Sequence, residues 1–573
     1  MTYIIGHNIC SPLGMTTADN LAAVRRGATA LRPYRHLWNL LEPVCASLFT
    51  DDQWREMTVE GCTSFESMVI ASARRALAGC SFDVSGNDVV LIVSTTKANV
   101  SLLTTSTIHD ERLCPGVAAK RIARHLGITT TPIVVDDACI SGVASLITAS
   151  RLLADGAYRY AVVCGADRQN RFIISGFQSF KALSQEPCRP FDMERLGLNL
   201  GEAAATMVLS AAPCGPGPVW SICQGAIRND AYHISAPSRQ GEGARRALLA
   251  VFGGRTLPMG DKVPDAGSIA VINAHGTATL FNDQMESKAI ERAMLTSIPV
   301  NGYKGYYGHT MGAAGILETV LTMAALDEQV VLSTKGFSER GVSGKIDVTK
   351  TERATDRHTF LKMLSGFGGC NAVLLVDKKR ASAISSDPSC LSKDTSHGFG
   401  EPIRQRAVLR LTPADGNLTE LYKKHIGDYP RFYKMDLLSK LGLIASELLL
   451  QQIGEDRPVS YREDRALVFF NRSASLHADR KYEATISAPD NFFPSPSLFV
   501  YTLPNIVTGE IAIRNHYVGE TSFYILADKD TAMMQRLLRA TLLDQQTTSI
   551  LGGWLDAEDD DHYEAELSVW ERV

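Results

Sequence analysis

Residues 131–167 read TPIVVDDACISGVASLITASRLLADGAYRYAVVCGAD, and this stretch decides the fold. A short apolar run at 132–135 predicts a buried strand, and a second run at 161–164 predicts another. Between the two runs, apolar residues recur near helical spacing at Val143, Leu146, Ile147 and Leu153, which predicts an amphipathic helix. Strand, helix and strand in this order predict an α/β fold in which helices cover a mainly parallel sheet.

Cys139 stands where the first of these strands passes into the helix. The N-terminus of a helix presents unpaired N–H groups and a partial positive charge, and both stabilise a thiolate. We therefore expect the pKa of Cys139 to lie about one unit or more below its ordinary value, which would make this residue a nucleophile near neutral pH. From position alone, a small buried hydrophobic residue is an equal alternative.

Length and composition limit the classes of protein to which the chain can belong. Its 573 residues exceed one ordinary hydrophobic core, so we expect more than one domain. A hydrophobic content of 45%, a charged content of 21% and a net charge of -4 are typical of a soluble globular protein. They argue against nucleic acid or an anionic membrane as the main partner. With no secretory leader and no window of about 18 apolar residues, we expect a cytoplasmic protein without a membrane span.

The cysteines indicate a reducing compartment. There are 12 of them, and none forms a C-x-x-C pair, so we expect free thiols and neither disulfides nor a metal site. All lie at or before Cys390, which leaves the last 183 residues (573 minus 390) without one. This difference indicates that the C-terminal segment has a separate history.

Five motifs follow one another along the first two thirds of the chain. They are DACISG at 137–142, ALSQEPCRPFD with NLGEAAA between 182 and 205, NAHGTATLFND at 273–283, KGYYGHTMGAAGILE at 304–318 and GFGG at 366–369. Several stand at predicted strand ends, where ligands collect in open α/β sheets. In this order and spacing the motifs resemble those of the β-ketoacyl synthases, the decarboxylating condensing enzymes of the thiolase fold. The resemblance covers residues 1 to about 378.

The resemblance implies a catalytic trio. Cys139 matches the nucleophile that accepts the acyl group, and His275 and His309 match the two catalytic histidines. Loss of CO2 from a malonyl thioester leaves an enolate whose oxygen carries the developing charge. Two imidazole N–H groups directed at that oxygen would lower the barrier, by roughly 3–4 kcal/mol for a single donor.

Five further residues match supporting positions of the family. Lys304 matches its lysine, which would keep the nearby histidine neutral because a like charge disfavours protonation. Glu318 matches the usual ion-pair partner of that lysine. Phe367 matches the gating phenylalanine, whose backbone N–H and that of the nucleophile would hold a second oxyanion. Thr277 and Thr279 match threonines that contact the pantetheine arm of a carrier protein.

Three features depart from the family pattern. The family often has basic residues before the helix that begins near Phe65, but here residues 58–67 read TVEGCTSFES, without Lys or Arg. This stretch therefore lacks the positive charges that would bind an acidic carrier protein there. Cys370 follows GFGG where the family commonly has His or Thr. The third departure is the C-terminal segment, which ordinary single-domain synthases lack.

The resemblance implies two related halves, about 1–215 and 216–378, stacked as α-β-α-β-α layers. A stretch rich in Ser, Lys, Asp and Gly predicts a linker at 379–405. We interpret 406–573 as a half-copy of the N-terminal half. The segment 432–450 resembles the predicted helix at 64–77, 466–475 resembles 89–98, and 532–553 resembles the helix and strand after Cys139. In this superposition the cysteine position falls near Asp528 or Lys529. The half-copy is therefore expected to lack catalytic activity.

The predicted activity is condensation of a Cys139-bound acyl group with malonyl-acyl carrier protein, giving a β-ketoacyl thioester and CO2. It would serve fatty acid, polyketide or aryl-polyene-like biosynthesis. By the same resemblance we expect no bound cofactor, since the substrates are carried on phosphopantetheine. The expected partners are the acyl carrier protein and, in a homodimer or heterodimer, a second copy or a related synthase-like subunit.

Two other hypotheses fit the motifs less well. One is a chain-length-factor-like subunit without activity, but such subunits normally lose the nucleophile that Cys139 supplies. The other is a thiolase that condenses acyl-CoA units without decarboxylation. It would need a second catalytic cysteine in the closing glycine loop, and Cys370 lies near that place.

Overall fold

Strands and helices alternate through the first 214 residues, as the hydrophobic pattern predicts. The structure is a computed structural model that describes residues 1–104, 110–214, 217–253, 266–380, 403–487 and 492–572. The strands of this first part are β1 (Thr2–Cys10), β2 (Arg32–Tyr34), β3 (Val44–Ser47), β4 (Val89–Ser94), β5 (Ile133–Val135), β6 (Tyr160–Asp167), β7 (Leu200–Gly201) and β8 (Ala203–Ser210). The helices are α1 (Thr17–Arg25), α2 (Asp51–Met57), α3 (Ser64–Leu77), α4 (Pro115–Leu126), α5 (Ser141–Ala154) and α6 (Arg171–Ser179).

The second part of the chain, 217–380, repeats this alternation. Its strands are β9 (Pro218–Asn229), β10 (Ile269–Asn273), β11 (Pro299–Asn301), β12 (Val330–Val331), β13 (Asp347–Val348), β14 (Arg353–Ala354), β15 (Thr359–Ser365) and β16 (Cys370–Arg380). Its helices are α7 (Glu242–Ala250), α8 (Leu280–Arg292), α9 (Lys304–Tyr307) and α10 (Ala314–Asp327).

The third part, from residue 403 onward, contains the remaining elements. Its strands are β17 (Ile403–Leu411), β18 (Arg465–Asn471), β19 (Thr521–Ile525), β20 (Ser549–Asp559) and β21 (His562–Arg572). Its helices are α11 (Leu418–His425), α12 (Leu437–Gln452), α13 (Leu476–Glu483), α14 (Pro496–Val500), α15 (Ile506–Asn515) and α16 (Thr531–Thr541). The helix expected at 432–450 begins five residues later, because the Asp436 side chain accepts hydrogen bonds from the N–H groups of Leu438 and Ser439 and caps it there.

One five-stranded order occurs three times in the sheet. The orders are β1-β8-β6-β4-β5, β9-β16-β15-β10-β11 and β17-β21-β20-β18-β19. In each unit the first two pairings are antiparallel and the last two are parallel. The predicted duplicated α/β fold is therefore confirmed, and so is the likeness of the C-terminal segment to the N-terminal half.

The three units meet edge to edge. The first joins the second where Tyr3 of β1 pairs with Ser221 of β9. The first joins the third through antiparallel pairing of β5 with β19, which sets Val134 opposite Ile525 and Val135 opposite Tyr524. The half-copy thus occupies the outer edge of the strand that leads to Cys139. A second copy of the chain has no free strand edge to pair with at this place.

Helix α5 is buried on almost every side, so the amphipathic helix predicted from its apolar spacing is wrong in that respect. Within the helix only Ser150 and Ala154 escape full burial. It packs against α10 on one side and α16 on another. A Cβ atom on Gly142 would lie 2.9 Å from the Gly315 Cα, so the backbones of α5 and α10 are nearly in contact. Apart from Ser150, the polar residues in this helix therefore face protein and not solvent.

The predicted linker at 379–405 lies outside the described residues except at its two ends, where β16 and β17 run. Among the residues that the structure describes, no helix is long and apolar enough to cross a membrane.

The contact of α5 with α10 leads to a stability prediction. Gly142→Ala should lower the free energy of unfolding by about 1–3 kcal/mol, because the new methyl group meets backbone atoms that cannot move aside. Urea denaturation of the full chain measures the change. Gly79→Ala is the matched control, since a Cβ there meets nothing within 4 Å. Equal effects of the two substitutions would contradict the prediction.

Candidate active site

A cavity of about 410 Å³ opens beside the N-terminal end of α5. Residues from the first two units line it, and those that the sequence singled out are Cys139, His275, Thr277, Thr279, His309 and Phe367. The Cys139 sulfur and one nitrogen of each histidine lie within 4.8 Å of one another. Residues separated by 170 positions in the sequence thus share one pocket, and its mouth is formed by the exposed side chains of Leu196, Leu280 and Phe281.

Cys139 sits in a tight turn between β5 and α5. Residues 138–140 form one turn of 3-10 helix, and Ala138 has a φ of 50°, in the left-handed region. The Ser141 hydroxyl closes the turn, since it accepts the Asp137 N–H at 2.9 Å and donates to the Ala138 carbonyl at 2.6 Å. Strained backbone of this kind persists only where the surroundings enforce it, and it is common at functional sites.

The pKa of Cys139 moves opposite to the direction expected from the sequence. Burial raises the pKa of this thiol to about 12, although the positive charge of Lys304 opposes the shift. The expectation considered only the helix N-terminus and left out the cost of placing an anion among apolar and neutral groups. At neutral pH the residue is therefore a thiol, and it must give up its proton during the reaction.

The two histidines have the same tautomer. His275 Nδ1 accepts the Ser365 backbone N–H at 3.0 Å, and His309 Nδ1 accepts the Met311 N–H at 3.1 Å. In a neutral imidazole the nitrogen that accepts is unprotonated, so the other nitrogen carries the proton. The two Nε2 atoms lie 3.3 Å apart. Two N–H donors therefore converge on one point of the cavity.

Both imidazoles are held neutral. Burial lowers the pKa of His275 well below its ordinary value, and Lys304 and His309 lower it further. Burial also lowers the pKa of His309 well below its ordinary value, with Lys304 again acting in the same direction. Both rings are buried, with 2% of His275 and 1% of His309 exposed. They are hydrogen-bond donors and not cations at neutral pH.

Glu286 fixes the loop that carries the first histidine, and sequence reasoning missed it. Its carboxyl oxygens accept the N–H of His275 at 2.7 Å and the N–H of Gly276 at 2.8 Å. Burial raises the pKa of Glu286 to about 7. The signal in the sequence was an acidic residue on α8, one turn after the Asp283 that ends the motif.

The predicted ion pair of Lys304 and Glu318 is present, but it has a third member. Lys304 Nζ lies 2.8 Å from Glu318 Oε1, and Lys362 contacts the other carboxylate oxygen. Lys362 also donates to Asn273 Oδ1 at 2.7 Å and to the Ala274 carbonyl at 3.3 Å, just before His275. Both lysines are fully buried. Two buried cations therefore share one carboxylate next to the histidines.

The pKa values of this cluster follow from its charges. Burial alone would raise the pKa of Glu318, but Lys304 and Lys362 hold it below its ordinary value. Burial lowers the pKa of Lys362 to about 8, and Glu318 opposes that shift. Glu318 is therefore held as a carboxylate between the two lysines. A lone lysine inside the apolar strand TFLKMLS was the signal that sequence reasoning passed over.

Phe367 stands on the closing glycine loop, which we define as residues 366–369. Its ring packs against Phe180 at a centroid distance of 5.5 Å and against Phe177 at 6.3 Å. Gly368 and Gly369 have φ values of 89° and 75°, which side chains rarely adopt. The three phenylalanine rings form one wall of the cavity.

Thr277 and Thr279 line the cavity close to its mouth. The Thr277 and Thr279 hydroxyl oxygens are 2.9 Å apart, so one donates to the other. Thr279 directly precedes α8 and its exposed residues Leu280 and Phe281. Polar groups at this place can bind an amide-containing chain that enters from the surface.

Cys370 does not line the cavity. It is buried beneath the closing glycine loop, where its thiol is 3.3 Å from the Phe367 carbonyl and 3.6 Å from the Asp137 carbonyl. Burial raises the pKa of Cys370 well above its ordinary value. A second catalytic cysteine, as a thiolase reaction would need, is therefore not supplied at this position.

Within the described part of the chain, one group of side chains has the composition of a metal site, and it consists of Cys139, His275 and His309. A metal ion needs a lone pair on the nitrogen that faces it. Here the backbone N–H groups occupy both Nδ1 lone pairs, so Nε2 carries a proton on each ring. The donor set does not fit a metal ion without loss of those hydrogen bonds.

Comparisons with known proteins agree with this geometry. Residues 54–213 match the model of the β-ketoacyl synthase N-terminal domain, and residues 221–338 match that of its C-terminal domain. The chain is 31% identical over 268 residues to 3-oxoacyl-[acyl-carrier-protein] synthase 2 of Vibrio harveyi. It is 31% identical over 271 residues to nodulation protein E of Rhizobium meliloti. These alignments cover 44% and 45% of this chain, and 63% and 65% of the relatives, so less than two thirds of each relative is matched.

Solved structures show the same fold. One described as PfaC keto synthase–chain length factor has a TM-score of 0.78 at 13% identity, and the alignment covers 100% of this chain and 78% of that one. The ishigamide ketosynthase/chain length factor has a TM-score of 0.56 at 23% identity, over 66% of this chain and 99% of that one. At such identities the likeness establishes the fold alone.

The raised pKa of Cys139 leads to a prediction. Its alkylation by iodoacetamide should quicken roughly tenfold per pH unit between pH 7 and pH 9, because the reactive thiolate fraction grows in that proportion below the pKa. Mass spectrometry of the peptide that contains Cys139 measures the rate, and Cys139→Ala gives the background. A plateau that begins near pH 7 would show a stabilised thiolate and would contradict the assignment.

Proposed function

We propose that the chain is a β-ketoacyl synthase, because residues 54–213 and 221–338 match the two domain models of that family. It catalyses the condensation of a Cys139-bound acyl group with a malonyl thioester. The observation that carries the proposal is the convergence of two Nε2–H groups beside a cysteine in one cavity. The substrates are held on an acyl carrier protein, which the name of the Vibrio relative includes, and the arm that carries them is its phosphopantetheine. No resident cofactor takes part.

In the first step the Cys139 sulfur attacks the carbonyl of an acyl thioester. The bond from that carbonyl to the carrier sulfur breaks, and the thiol proton passes to the departing sulfur. Because the pKa of Cys139 is raised to about 12, the proton leaves only as the carbon–sulfur bond forms. The acyl chain then extends along the wall of Phe177, Phe180 and Phe367.

In the second step a malonyl thioester loses CO2, and the electron pair of the broken carbon–carbon bond forms an enolate. The Nε2–H groups of His275 and His309 donate to the enolate oxygen and stabilise its charge. The enolate carbon attacks the acyl group on Cys139. The carbon–sulfur bond breaks, the sulfur takes up a proton, and the β-ketoacyl thioester leaves on the carrier.

The proposal extends to the organisation of the whole chain. We retain the division into a synthase at 1–378, a linker at 379–405 and an inactive half-copy at 406–573. The half-copy takes the place that a second subunit would occupy on β5, so one chain provides a pseudo-dimer. The described cysteines are all free, which supports a reducing, cytoplasmic location. The proposed pathway is fatty acid, polyketide or aryl-polyene-like biosynthesis.

The direct test follows both half-reactions with the full chain. Acyl transfer to Cys139 is read by mass spectrometry, and decarboxylation by CO2 release from malonyl carrier protein. Cys139→Ala should abolish acyl uptake, while Cys114→Ala, a buried cysteine at the start of α4, should leave it unchanged. A Cys139→Ala variant that still acquires a covalent acyl group would overturn the proposal.

The histidines have a prediction of their own. His275→Gln and His309→Gln should each lower decarboxylation roughly 10²–10³-fold, because each removes one donor from the developing oxyanion. Acyl transfer to Cys139 should fall much less, since the thiol and the acyl wall remain. Equal losses in both half-reactions would show that the histidines do not act selectively on the enolate.

Lys362 is expected to set the pH range of the reaction. Lys362→Met removes one buried positive charge, so the pKa values of His275 and His309 should rise and the acid limb of the decarboxylation profile should move to higher pH. The sign follows because decarboxylation needs both rings neutral. A ring with a higher pKa takes up its proton at a higher pH, so activity is lost earlier as the pH falls. Lys378→Met, on the neighbouring strand and paired with Asp327, is the control. An unmoved acid limb would refute this role.

A further inference from the structure

The half-copy reaches back to the cavity through a contact that the proposed function does not use. Helix α15 and the residue before it lie against the closing glycine loop of the second unit. A Cβ atom on Gly509 would lie 2.6 Å from the Gly368 carbonyl oxygen, so the helix backbone is seated directly on the loop. The loop that carries Phe367 is thus covered by a segment more than 130 residues further along the chain.

Asn505 makes a polar link across this contact to the Phe367 backbone. Its Nδ2 donates to the Phe367 carbonyl at 2.9 Å and lies 3.7 Å from the Cys370 sulfur. A Cβ atom on Gly368 would come within 2.8 Å of the same nitrogen. Asn505 therefore holds the glycine loop by its main chain, on the far side from the cavity.

Asn505 gives up a more favourable local role for this link. It occupies the N-cap position of α15, where an asparagine side chain ordinarily accepts a helix N–H, but it makes no such bond. Its Oδ1 is buried and has no hydrogen-bond partner within the described ranges. Both features lower stability. A residue that leaves its helix uncapped and its own oxygen unpaired is placed for the loop and not for the fold of the half-copy.

The loop that Asn505 holds contributes Gly366 and Phe367 to the lining of the cavity. The Phe367 ring lies against Phe180 and Phe177, and behind these two rings stands Phe499 of α14, at 6.2 Å and 5.6 Å. Phe177, Phe180 and Phe367 all line the cavity, so the three rings bound it on this side. Phe177 and Phe180 pack against the Phe367 ring and hinder its rotation in place. A long acyl chain on Cys139 would therefore displace the ring together with its backbone carbonyl.

We propose that Asn505 is a positioning residue through which the half-copy keeps Phe367 closed over the acyl end of the cavity. This inference rests on the proposed condensing function for its consequence, but the hold itself is a property of the structure. Short acyl groups fit without movement of the loop. Long acyl groups must break the bond between Asn505 and the Phe367 carbonyl, so the half-copy in the same chain selects against them.

The test replaces Asn505 by leucine, which keeps the size of the side chain and removes its donor. Loss of one hydrogen bond of this kind shifts an equilibrium roughly threefold to tenfold. Transfer of a twelve-carbon acyl group from its carrier thioester to Cys139 should therefore quicken by about that factor in Asn505→Leu, while transfer of an acetyl group should not change. An equal effect on both groups, or no effect on either, overturns the proposal.

A second measurement needs no activity. Hydrogen exchange of the backbone amides in the peptide that spans residues 364–371 should be faster in Asn505→Leu than in the unmodified chain. Asn515→Leu is the matched control, because Asn515 is buried in the same helix and donates to Glu447 inside the half-copy at 3.0 Å. Unchanged exchange in Asn505→Leu, or equal change in the control, refutes the hold. Absence of acyl transfer in the unmodified chain would instead refute the proposed function.

Discussion

Two backbone hydrogen bonds, from Ser365 to His275 and from Met311 to His309, decide what chemistry the cavity can perform. Each fixes which ring nitrogen carries the proton, and burial and Lys304 keep both rings neutral. The two N–H donors face each other across 3.3 Å and cannot satisfy each other, because a donor does not bond to a donor. They therefore add nothing to the stability of the fold. An oxygen that gains negative charge is the group that satisfies both.

The rest of the fold serves to bring these groups together. The second unit provides both histidine loops and the glycine loop, while the first provides Cys139 on a turn between β5 and α5. Because Gly142 and Gly315 let α5 and α10 approach to backbone contact, the turn and the second histidine loop cannot drift apart. The third unit then closes the edge of β5.

The half-copy lies at one end of the described sheet, and its surface suits that position. Helix α16 corresponds by its place between β19 and β20 to the buried α5, yet it has a polar outer face with Gln535, Arg536 and Arg539. The outer strand β17 carries Arg404, Arg406 and Arg410, and charges on an edge strand discourage further pairing. Its missing cysteine therefore fits a unit that supports its neighbour and does no chemistry itself.

Periodicity and motifs predicted what depends on local sequence, and tertiary burial decided the rest. The helix at 64–77 followed from its spacing, and the structure shows that Thr63 and Glu66 cap it reciprocally. The predicted direction of the Cys139 pKa shift was wrong, because an argument from local sequence does not include the desolvation of a thiolate. Lys362 and Asn505 were missed for a related reason, since each acts on residues that are adjacent only after folding. The lone lysine in TFLKMLS marks an unusual position, but neither that strand nor the segment before α15 indicates which residues it will contact.

The most direct measurement is the nitrogen NMR spectrum of the full chain labelled with ¹⁵N-histidine, with His275→Gln and His309→Gln used to assign the two rings. The account predicts that both rings are neutral between pH 6 and pH 8 and that each carries its proton on Nε2. A charged ring in that range, or a proton on Nδ1 of either ring, would contradict it.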